Sequence, residues 1–580
     1  MLKSLFSDLA RKISDRLGPT SISAAKGVEE AAITRLGEAR ARLRSRDYDG
    51  ARRICRELVT SEAIAARAWE LLGAIALEQG DDEEAWQGFE AALEEAEPTP
   101  QMLANAAETA RRTARFARAM ELCDRALALR GDYAPALHIR ALALQSCWRM
   151  DEARAALEKL VREQPDFEKA QSSYLFLLNH AGAEASLQRE AHQRWAAAHA
   201  EPLAQARKFV NDRDPGRRLR VGYVSGDFCD HAASHFVQAI LEHHDPAAIE
   251  VFCYSSTEKL DQTTARLRSL AHHWRDIRWT GDAEAAELVR ADHIDILVDL
   301  SGHTRANRLR VFARRAAPVQ LTYLGYPATT GMSAMDYRIT DAIADPPGKS
   351  EHAYCETLLR MPASMWCFRP PAGMPEPGVP PSATSGAGVT FGSLNSMLKI
   401  TAHTVSLWAG ILRSCAGSSL ILATVPGGEA RERISAAFAV EGVPGSALEF
   451  HDRLPREQFW ELHRRIDIAL DTYPCNGGAT TCETLWLGVP VVTRSSELFQ
   501  SRAGLSLLTC IGLPEFAAYS DSEYARIACR LAADARGLAQ LRGRLRARML
   551  SSPLMDAAGF VRALEGHYRD IWRKWVDTIE

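Results

Sequence analysis

One stretch of the chain combines bare backbone groups with side chains that suit a phosphate and a sugar. Residues 471–492, DTYPCNGGATTCETLWLGVPVV, follow an apolar predicted strand and pass through a Gly-Gly turn into a predicted helix. The first N–H groups of a helix lack partners and carry partial positive charge, so this turn suits a phosphate. Glu483 would follow on the first turns, where its carboxylate could accept hydrogen bonds from ribose hydroxyls. Acidic residues also favour the start of any helix, but the stretch as a whole predicts nucleotide binding.

Two histidines, His231 and His235, are spaced by one helical turn in the run GDFCDHAASH. A histidine can accept a proton near neutral pH, which is the chemistry of a general base. The pair could also be read as metal ligands, but no third ligand with suitable spacing is nearby, and a structural or capping role is the better alternative. Asp212 and Asp214 match the acid-x-acid pattern of metal-dependent sugar transferases. A match this short in a polar linker is expected by chance, so we give it no weight.

The composition is that of an ordinary globular chain with more than one domain. Its 580 residues are 46% hydrophobic and 25% charged, and the formal net charge of −4 gives no sign of a nucleic-acid binder. Twelve cysteines without a CxxC pair indicate reduced thiols, as in a cytosol. The first twenty residues lack a secretory apolar core, and no window reaches the ~18 uncharged apolar residues of a membrane span. We therefore expect a cytoplasmic protein with neither a membrane nor a nucleic acid as partner.

The first third of the chain repeats itself with the ~34-residue period of tetratricopeptide repeats. Small residues recur where the two helices of a hairpin must approach closely, and larger apolar residues recur in the groove between them. About four units between residues 30 and 166 predict a short α-solenoid, whose groove would receive a protein or peptide partner. The residues in phase are Trp69, Leu72, Gly73, Ala85, Phe89, Ala92 and Pro98, then Leu103, Ala106, Ala107, Ala119, Cys123 and Ala126, then Leu137, Ala141, Ala153, Leu157, Leu160 and Pro165.

Apolar strands separated by helices begin near residue 218 and predict parallel, doubly wound sheets. The Pro- and Gly-rich run 370–388 is expected to lack regular structure and to join two such lobes. Two Rossmann-like lobes leave a cleft at the carboxyl ends of their strands, where ligands bind in such sheets. The GxGxxG fingerprint is absent, which argues against a nicotinamide dehydrogenase but not against a sugar nucleotide.

Several long motifs resemble, in order, the protein O-linked N-acetylglucosamine transferase family, and its bacterial members with tetratricopeptide repeats in particular. They are RVGYVSGDFCDHAASH, DLSGHTRANRL, LTYLGYPATTG with MDYRITD, SLNSMLKI, ALDTYPCNGGATTCETLW and SSPLMD. The resemblance covers the region from about residue 218 to residue 575 almost end to end, and the repeat region by architecture. It implies an α-solenoid of tetratricopeptide repeats followed by an α/β fold of the GT-B glycosyltransferase type with two Rossmann-like lobes.

The pattern and the resemblance together predict seven segments. They are an N-terminal helical segment (1–29), the repeat solenoid (30–180), a helical linker (181–217), an N-terminal catalytic lobe (218–370), a Pro/Gly-rich linker (371–388), a C-terminal nucleotide-sugar-binding lobe (389–552) and a helix that packs across the lobes (553–580).

The resemblance implies an inverting, metal-independent transfer of N-acetylglucosamine from UDP-N-acetylglucosamine to serine or threonine hydroxyls of proteins. No cofactor is implied, because the nucleotide sugar is a substrate. Lys399 matches the family lysine that neutralises the donor phosphates, although a lone lysine after a strand is usually a solvated surface charge. His231 matches the family histidine beside the reaction centre, either as base or as positioning residue. Asp230 and Asp299 are the alternative bases.

The resemblance also assigns donor contacts, with some departures from the animal pattern. Arg456 stands where the family tends to have a lysine near the uracil, and Phe459 replaces a histidine that stacks on the uracil. Gly478 and Ala479 replace a histidine and a threonine, so backbone amides would have to supply two diphosphate contacts. The other assigned residues are Asn395 in the donor site, Thr480 at the phosphates, Glu483 at the ribose, and Leu324, Gly325 and Pro327 in a sugar pocket.

These departures leave the donor and the acceptor open. Animal members line their concave face with an asparagine ladder, whereas the positions counted as equivalent here are Leu71, Asn105 and Ile139. The same fold with another donor or acceptor is one alternative, either a fucosyl transfer from GDP-fucose or an asparagine-directed hexosyl transfer. A repeat scaffold with a weak or silent catalytic half is the other.

Overall fold

The computed structural model describes residues 19–61, 64–205, 208–385 and 388–578. Residues 1–18 of the predicted N-terminal segment and the last two residues of the predicted C-terminal helix lie outside the described residues. The chain folds into two compact units, Met1–Leu144 and Gln145–Glu580. Within the described residues, no helix combines the length and the apolar character that crossing a membrane requires.

The first unit consists of helix hairpins. Small residues on facing helices let their backbones approach closely. A Cβ added at Gly88 would lie 2.7 Å from the backbone nitrogen of Gly73, so a side chain does not fit there. The helices are α1 (Pro19–Arg44), α2 (Tyr48–Leu58), α3 (Ala65–Gln79), α4 (Asp82–Glu95), α5 (Pro100–Arg112), α6 (Phe116–Leu129) and α7 (Ala134–Ser146), of which α7 ends in the second unit.

A residue in the left-handed backbone region marks the turn inside each hairpin. These residues are Arg46 (φ 63°), Gly80 (79°), Ala114 (60°), Trp148 (55°) and Gly182 (70°), each 34 residues after the one before. The spacing confirms the predicted repeat period from the backbone alone. It also carries the period into a fifth hairpin, beyond the end near residue 166 that the side-chain pattern indicates.

Two of the three positions counted for the concave face are core positions. Leu71 and Ile139 are only 8% and 7% exposed and belong to hydrophobic clusters of the repeats. The count behind these positions is therefore wrong as a guide to acceptor contacts, because it falls on the face that packs against neighbouring helices. Asn105 is half-buried and accepts a hydrogen bond of 2.8 Å from Gln101, whose side chain also accepts one from Tyr133.

The second unit continues the hairpins and then forms a seven-stranded sheet, which we call, with its helices, the N-terminal lobe. The hairpin helices are α8 (Met150–Glu163), α9 (Glu168–Ala181) and α10 (Ala185–His199). The strands are β1 (Leu219–Ser225), β2 (Ile249–Ser255), β3 (His273–Asp276), β4 (Ile296–Asp299), β5 (Val319–Thr322), β6 (Tyr337–Asp341) and β7 (Thr357–Met361), and the helices are α11 (Ser234–His243), α12 (Gln262–Leu270), α13 (Asp282–Ala291) and α14 (Leu309–Ala313). The strand order is β3-β2-β1-β4-β5-β6-β7, and all pairs are parallel.

The Pro- and Gly-rich linker contains one short helix, α15 (Pro381–Ser385). The expectation that this run holds no regular structure is therefore wrong at this point. Proline is well tolerated in the first turn of a helix, where the missing N–H would have no partner. In addition, the backbone N–H and hydroxyl of Ser382 donate to the Asp467 carboxylate at 3.1 and 2.8 Å, which ties the linker to the sheet that follows.

A second parallel sheet, with its helices, forms the C-terminal lobe. Its strands are β8 (Thr390–Ser393), β9 (Ser419–Leu422), β10 (Leu448–Phe450), β11 (Ile468–Leu470), β12 (Val491–Arg494) and β13 (Ala517–Ala518). Its helices are α16 (Ala402–Ser414), α17 (Glu429–Val440), α18 (Arg456–Leu462), α19 (Ala479–Trp486), α20 (Phe499–Cys510), α21 (Asp521–Ala533) and α22 (Ala535–Leu550). The strand order is β10-β9-β8-β11-β12-β13, so the order reverses between β8 and β11, as it does between β1 and β4. These strand orders confirm the prediction of two doubly wound lobes. Ligands of such sheets bind where the strand order reverses, so each lobe has an expected ligand position at its reversal point.

The last helix, α23 (Ala557–Asp577), returns from the C-terminal lobe and packs on the N-terminal lobe. Its Tyr568 hydroxyl lies 3.1 Å from the hydroxyl of Tyr223 on β1. Its Glu565 carboxylate lies 2.9 Å from Nδ1 of His244, at the end of α11. This helix therefore joins the C-terminal end of one lobe to the core of the other.

Candidate functional site

The Gly-Gly turn after β11 is organised by Asp471, a fully buried carboxylate. Its oxygens accept hydrogen bonds from the Asn395 amide (3.0 Å), the Gly477 N–H (2.8 Å) and the Thr493 hydroxyl (2.8 Å). Burial raises the pKa of Asp471 to about 6, while these donors and the charge of Lys399 act in the opposite direction. The sequence places Asp471 at the start of the stretch but assigns it no role. A carboxylate that directly follows an apolar strand, six residues before the first of two glycines, is the signal for it.

Lys399 lies beside this turn. It ends a short 3-10 helix, Met397–Lys399, which follows β8. Its Nζ donates to the backbone oxygen of Asn476 at 2.6 Å, and its side chain is half-buried. The ammonium group is thus held next to the residues that lead into α19, where a bound diphosphate would need a cation.

The N-terminus of α19 presents backbone with little side chain. A Cβ added at Gly477 would lie 2.5 Å from the Thr481 hydroxyl, so only glycine fits there. Gly478 precedes the helix, with no side-chain cap, and Ala479 and Thr480 form its first turn, half-buried. The amide groups of this turn are therefore unobstructed by side chains on their own segment. This arrangement suits the phosphate role predicted for these positions, which remains a prediction.

A tryptophan that the sequence reading missed forms one side of the α19 start. The ring of Trp366, at the end of the N-terminal lobe, would be 3.5 Å from a Cβ at Gly478. Its indole N–H donates to the Ser506 hydroxyl of α20 at 3.0 Å, and that hydroxyl donates to Asp341 at 2.6 Å. Nothing in the local pattern around Trp366 indicates this role, because its partners are distant in sequence.

Residues of the two lobes face each other directly across the cleft. The Glu483 carboxylate on α19 lies 3.7 Å from Nε2 of His235 on α11. Burial raises the pKa of Glu483, against a hydrogen bond from Trp460 and the charge of Arg456. Burial lowers the pKa of His235 to about 4, so this histidine is neutral at physiological pH. His235 is only 8% exposed, which agrees with the structural role weighed for it above.

His231 lies at the open part of the cleft. Its side chain is 50% exposed, and its Nδ1 lies 3.7 Å from the Asp227 carboxylate. Burial raises the pKa of Asp227, while the nearby His231 acts to lower it. The Ala233 N–H donates to the same Nδ1 at 3.3 Å, and the Asp227 carboxylate lies near the ring but beyond hydrogen-bond distance.

The two alternative bases have other partners. Asp230 forms an ion pair with Arg456 of the opposite lobe. Asp299 is fully buried and accepts hydrogen bonds from the Gly302 N–H at 2.9 Å and the Thr322 hydroxyl at 2.8 Å. Asp299 is thus part of the scaffold between β4 and β5 and does not reach the cleft surface, which argues against it as a base.

The residues assigned to the uracil lie together on α18. Arg456 starts this helix and packs over the Trp460 ring at 5.8 Å in addition to its ion pair. Phe459 is half-buried, with its ring edge-on to His463 at 5.2 Å. Asn395 is 6% exposed and is occupied in holding Asp471, so the structure shows it as part of the loop scaffold. Their contacts to a donor remain predictions.

The proposed sugar-pocket residues form a tight turn after β5. Leu324 has a left-handed backbone (φ 70°), and a Cβ at Gly325 would overlap the Leu300 carbonyl oxygen, so glycine is required. Leu324, Gly325 and Pro327 are all partly exposed. Between them, Tyr326 is buried and its hydroxyl donates to His192 of α10 at 2.7 Å. The turn is therefore held from behind by the last repeat hairpin.

Carboxyl ends of strands in both sheets position all of these groups. Segments after β1, β4, β5 and β7 carry the N-terminal lobe residues, and segments after β8, β10 and β11 carry those of the other lobe. In the described part of the chain, no group of three or more His, Cys, Asp or Glu side chains could hold a metal ion. The arrangement is that of a two-lobed α/β protein in which an open helix start of one lobe faces a histidine-bearing segment of the other.

Comparison with known proteins places this fold in a family. The model of glycosyl transferase family 41 matches residues 161–368 and 383–564, so the chain belongs to that family. The chain is 34% identical to a mutant of the Thermobaculum terrenum O-GlcNAc transferase of known structure, with a TM-score of 0.84, covering 90% of this chain and 99% of that one. This match confirms the predicted fold.

Curated relatives carry related names. A rice protein named probable UDP-N-acetylglucosamine--peptide N-acetylglucosaminyltransferase SPINDLY is 37% identical over 73% of this chain and 46% of its own length. The Caenorhabditis elegans UDP-N-acetylglucosamine--peptide N-acetylglucosaminyltransferase is 26% identical over 70% of this chain and 45% of its own length. The chain thus spans about half the length of the curated relatives it matches.

Proposed function

We propose that the protein transfers N-acetylglucosamine from UDP-N-acetylglucosamine to serine or threonine hydroxyls of a protein acceptor, with inversion and without a metal ion. The names of its relatives support this activity and this donor. The observation that carries the proposal is the position of Lys399 beside the open start of α19, a helix whose Glu483 lies 3.7 Å from His235, in the segment that also carries His231.

The reaction would proceed as a single displacement. The acceptor oxygen forms a bond to the anomeric carbon as the bond from that carbon to the diphosphate oxygen breaks, and UDP leaves with the electron pair. Attack from the face opposite the leaving group inverts the configuration. The hydroxyl proton passes to a base. We assign this role to His231, whose ring lies near the Asp227 carboxylate.

Charge on the leaving diphosphate is the main obstacle that the protein must offset. The Lys399 ammonium and the first amides of α19 are already in place, so they need little reorganisation when this charge develops. Such preorganised groups can take the place of a divalent cation. The amides of α19 would also replace the diphosphate contacts that a histidine and a threonine make in the animal pattern, at the positions of Gly478 and Ala479 here.

The helical repeats are the proposed site of the protein acceptor, since solenoids of this kind bind other chains. We also place the activity in the cytoplasm. All twelve cysteines, which lie within the described residues, are free thiols, as expected in a reducing compartment.

Titration calorimetry with UDP and, in parallel, GDP tests the donor. We expect UDP binding that EDTA leaves unchanged and that Phe459→Ala weakens. Mass spectrometry of acceptor proteins after incubation with UDP-N-acetylglucosamine then tests transfer. Preference for GDP would favour a fucosyl donor, and binding of neither nucleotide would favour a silent scaffold. An EDTA-sensitive activity would overturn the metal-independent mechanism.

A further inference from the structure

The turns of the last two helix hairpins contact the loops on either side of Lys399. The indole N–H of Trp148, in the turn between α7 and α8, donates to the backbone oxygen of Ile400 at 2.6 Å. Ile400 directly follows Lys399 in the chain. One repeat turn is therefore attached to the backbone that carries the phosphate-facing lysine.

The next turn, 34 residues later, contacts the second loop. A Cβ added at Gly182 would lie 2.5 Å from Cγ of Pro474. Pro474 belongs to the turn that leads to Asn476, whose backbone oxygen accepts the hydrogen bond from Lys399. The backbone of Gly182 therefore fits closely against the partner loop of the lysine. By contrast, no described atom lies within 4 Å of a Cβ added at Gly80, the equivalent glycine three repeats earlier.

The end of α9 completes this contact. Helix α9 packs against the 3-10 turn that carries Lys399. His180, one residue before the end of α9, is 6% exposed, and its Nδ1 donates to the Phe176 oxygen at 2.7 Å. Burial, and then the charge of Lys399, lower the pKa of His180 to about 4. His180 is therefore neutral near pH 7 and adds no second cation beside the lysine.

The conformation of Trp148 is unusual for a residue of its size. A bulky side chain at φ 55° is strained, and such residues persist only where their surroundings hold them. Earlier turns of the series have Arg46, Gly80 and Ala114 at this place. The hydrogen bond to Ile400 is a contact that can hold Trp148 in this conformation.

We propose that Trp148 and Gly182 are positioning residues for the donor diphosphate, which they influence by holding the Ile400 and Pro474 backbones around Lys399. The last two repeats are then part of the donor site as well as of the solenoid. This inference rests on the proposed function, because it assumes that a nucleotide diphosphate binds beside Lys399.

A pair of matched glycine variants tests the Gly182 contact. Gly182→Ala and Gly80→Ala both force an alanine into a left-handed turn, so we expect both to lower Tm, and Gly182→Ala by the larger amount because its added Cβ also meets Pro474. Only Gly182→Ala also displaces Pro474. We expect it to weaken UDP binding, measured by calorimetry, by about tenfold, and to raise KM for UDP-N-acetylglucosamine more than it lowers kcat. Gly80→Ala should leave UDP affinity within about twofold of the wild type.

Removal of one hydrogen bond tests the Trp148 contact. Trp148→Phe keeps an aromatic ring but loses the N–H donor to Ile400, and we expect UDP affinity to fall by about three- to tenfold. Trp86→Phe, in α4, is the control and should leave UDP affinity unchanged. In a Lys399→Ala background, Trp148→Phe should have no additional effect, because the indole acts through the lysine.

The outcomes separate the two proposals. If the wild type binds UDP and both Gly182→Ala and Trp148→Phe bind it equally well, the positioning role is wrong while the proposed function stands. If Trp148→Phe weakens binding as much without Lys399 as with it, the effect does not pass through the lysine, which also overturns the role. If the wild type binds neither UDP nor GDP, both proposals fail.

Discussion

Lys399 is held by its hydrogen bond to Asn476 and by its position near the buried Asp471 carboxylate. The hydrogen bond to Asn476 uses one of the three N–H donors of the ammonium group, which leaves a donor for a bound anion. The lysine is thus both part of the turn and available to a ligand. At the scale of single residues, this double role separates it from an ordinary surface lysine.

Loss of the Lys399 charge should affect catalysis far more than folding. We expect Lys399→Ala to lower kcat by about 10²- to 10³-fold, because a preorganised cation at developing charge is removed. The free energy of unfolding should change by less than ~1 kcal/mol, since the side chain is half-exposed. Lys399→Arg, which keeps the charge, is the control and should retain more activity. Transfer assays and urea unfolding measure the two effects, and full activity of Lys399→Ala would contradict the phosphate assignment.

His231 should affect the chemical step and not nucleotide binding. His231→Ala is expected to lower kcat by about 10²- to 10⁴-fold, the usual contribution of a general base, with UDP affinity nearly unchanged. Asp227→Asn should give a smaller loss, because the imidazole remains but its carboxylate partner is gone. Steady-state kinetics and UDP calorimetry separate the effects. Equal loss of UDP binding in His231→Ala would show instead that His231 contacts the donor or supports the fold.

At the scale of elements, the repeat hairpins and most strands could be predicted because their patterns are local. A 34-residue phase and runs of apolar residues are visible along the chain without knowledge of its folding. The strand β3 is not visible in this way, because its four residues are half-buried or exposed and mostly polar. The prediction of the concave-face positions was wrong for a related reason. Counting along the sequence identifies the repeat that a residue belongs to, but it does not identify the side of the helix on which that residue lies.

The candidate site was predictable in part. The glycines, Lys399 and His231 belong to motifs that the resemblance covers, and the structure places Lys399 beside the glycine turn. The contacts that organise the site join segments far apart in sequence, such as Glu483 with His235, and Trp366 with Ser506. One sequence alone contains no signal for such pairings.

The hydrogen bond between α10 and the sugar-pocket turn should stabilise the fold. His192 donates through Nδ1 to the Gln188 oxygen, so its Nε2 accepts from the Tyr326 hydroxyl. Tyr326→Phe leaves this buried Nε2 without a partner, and we expect a loss of ~1–3 kcal/mol in the free energy of unfolding. Tyr48 is the control, because its hydroxyl donates to Glu78 in a solvent-exposed bond, and Tyr48→Phe should change stability by less than ~0.5 kcal/mol. Equal effects in urea unfolding would contradict the role of this bond.

At the scale of the whole molecule, buried histidines should make stability depend on pH. Burial lowers the pKa of His180, His192, His235 and His463 to about 4 each. The unfolded chain therefore binds more protons than the folded one between pH 6.5 and about 4, so stability falls as pH falls. Asp299 and Asp471, whose pKa values burial raises to about 6, act oppositely. Protonated Asp299 and Asp471 therefore add to the free energy of unfolding at low pH, and this stabilisation is lost as pH rises through about 6.

We expect the histidines to outweigh the two aspartates, with unfolding free energy decreasing from pH 6.5 to 4. Each buried histidine contributes up to ~1.4 kcal/mol per pH unit. His192→Gln removes one such group, while its side-chain oxygen can still accept from Tyr326. The slope of unfolding free energy against pH, measured by urea unfolding, should become smaller in this variant. An unchanged slope would show that His192 does not titrate between the folded and unfolded states.

The 34-residue spacing of the left-handed turns also limits how chains of this architecture can vary in length. The two turns that contact the Lys399 loops are the last of the series. Their positions are therefore fixed by contacts with residues that follow the repeats, and not by the number of repeats that precede them. Gain or loss of whole 34-residue units ahead of Arg115 keeps every later residue in phase. An insertion of another size within α7 or α8 would move one contact turn away from its loop. Repeat number could therefore drift during evolution in discrete steps without cost to the donor site, whereas the final hairpins could not.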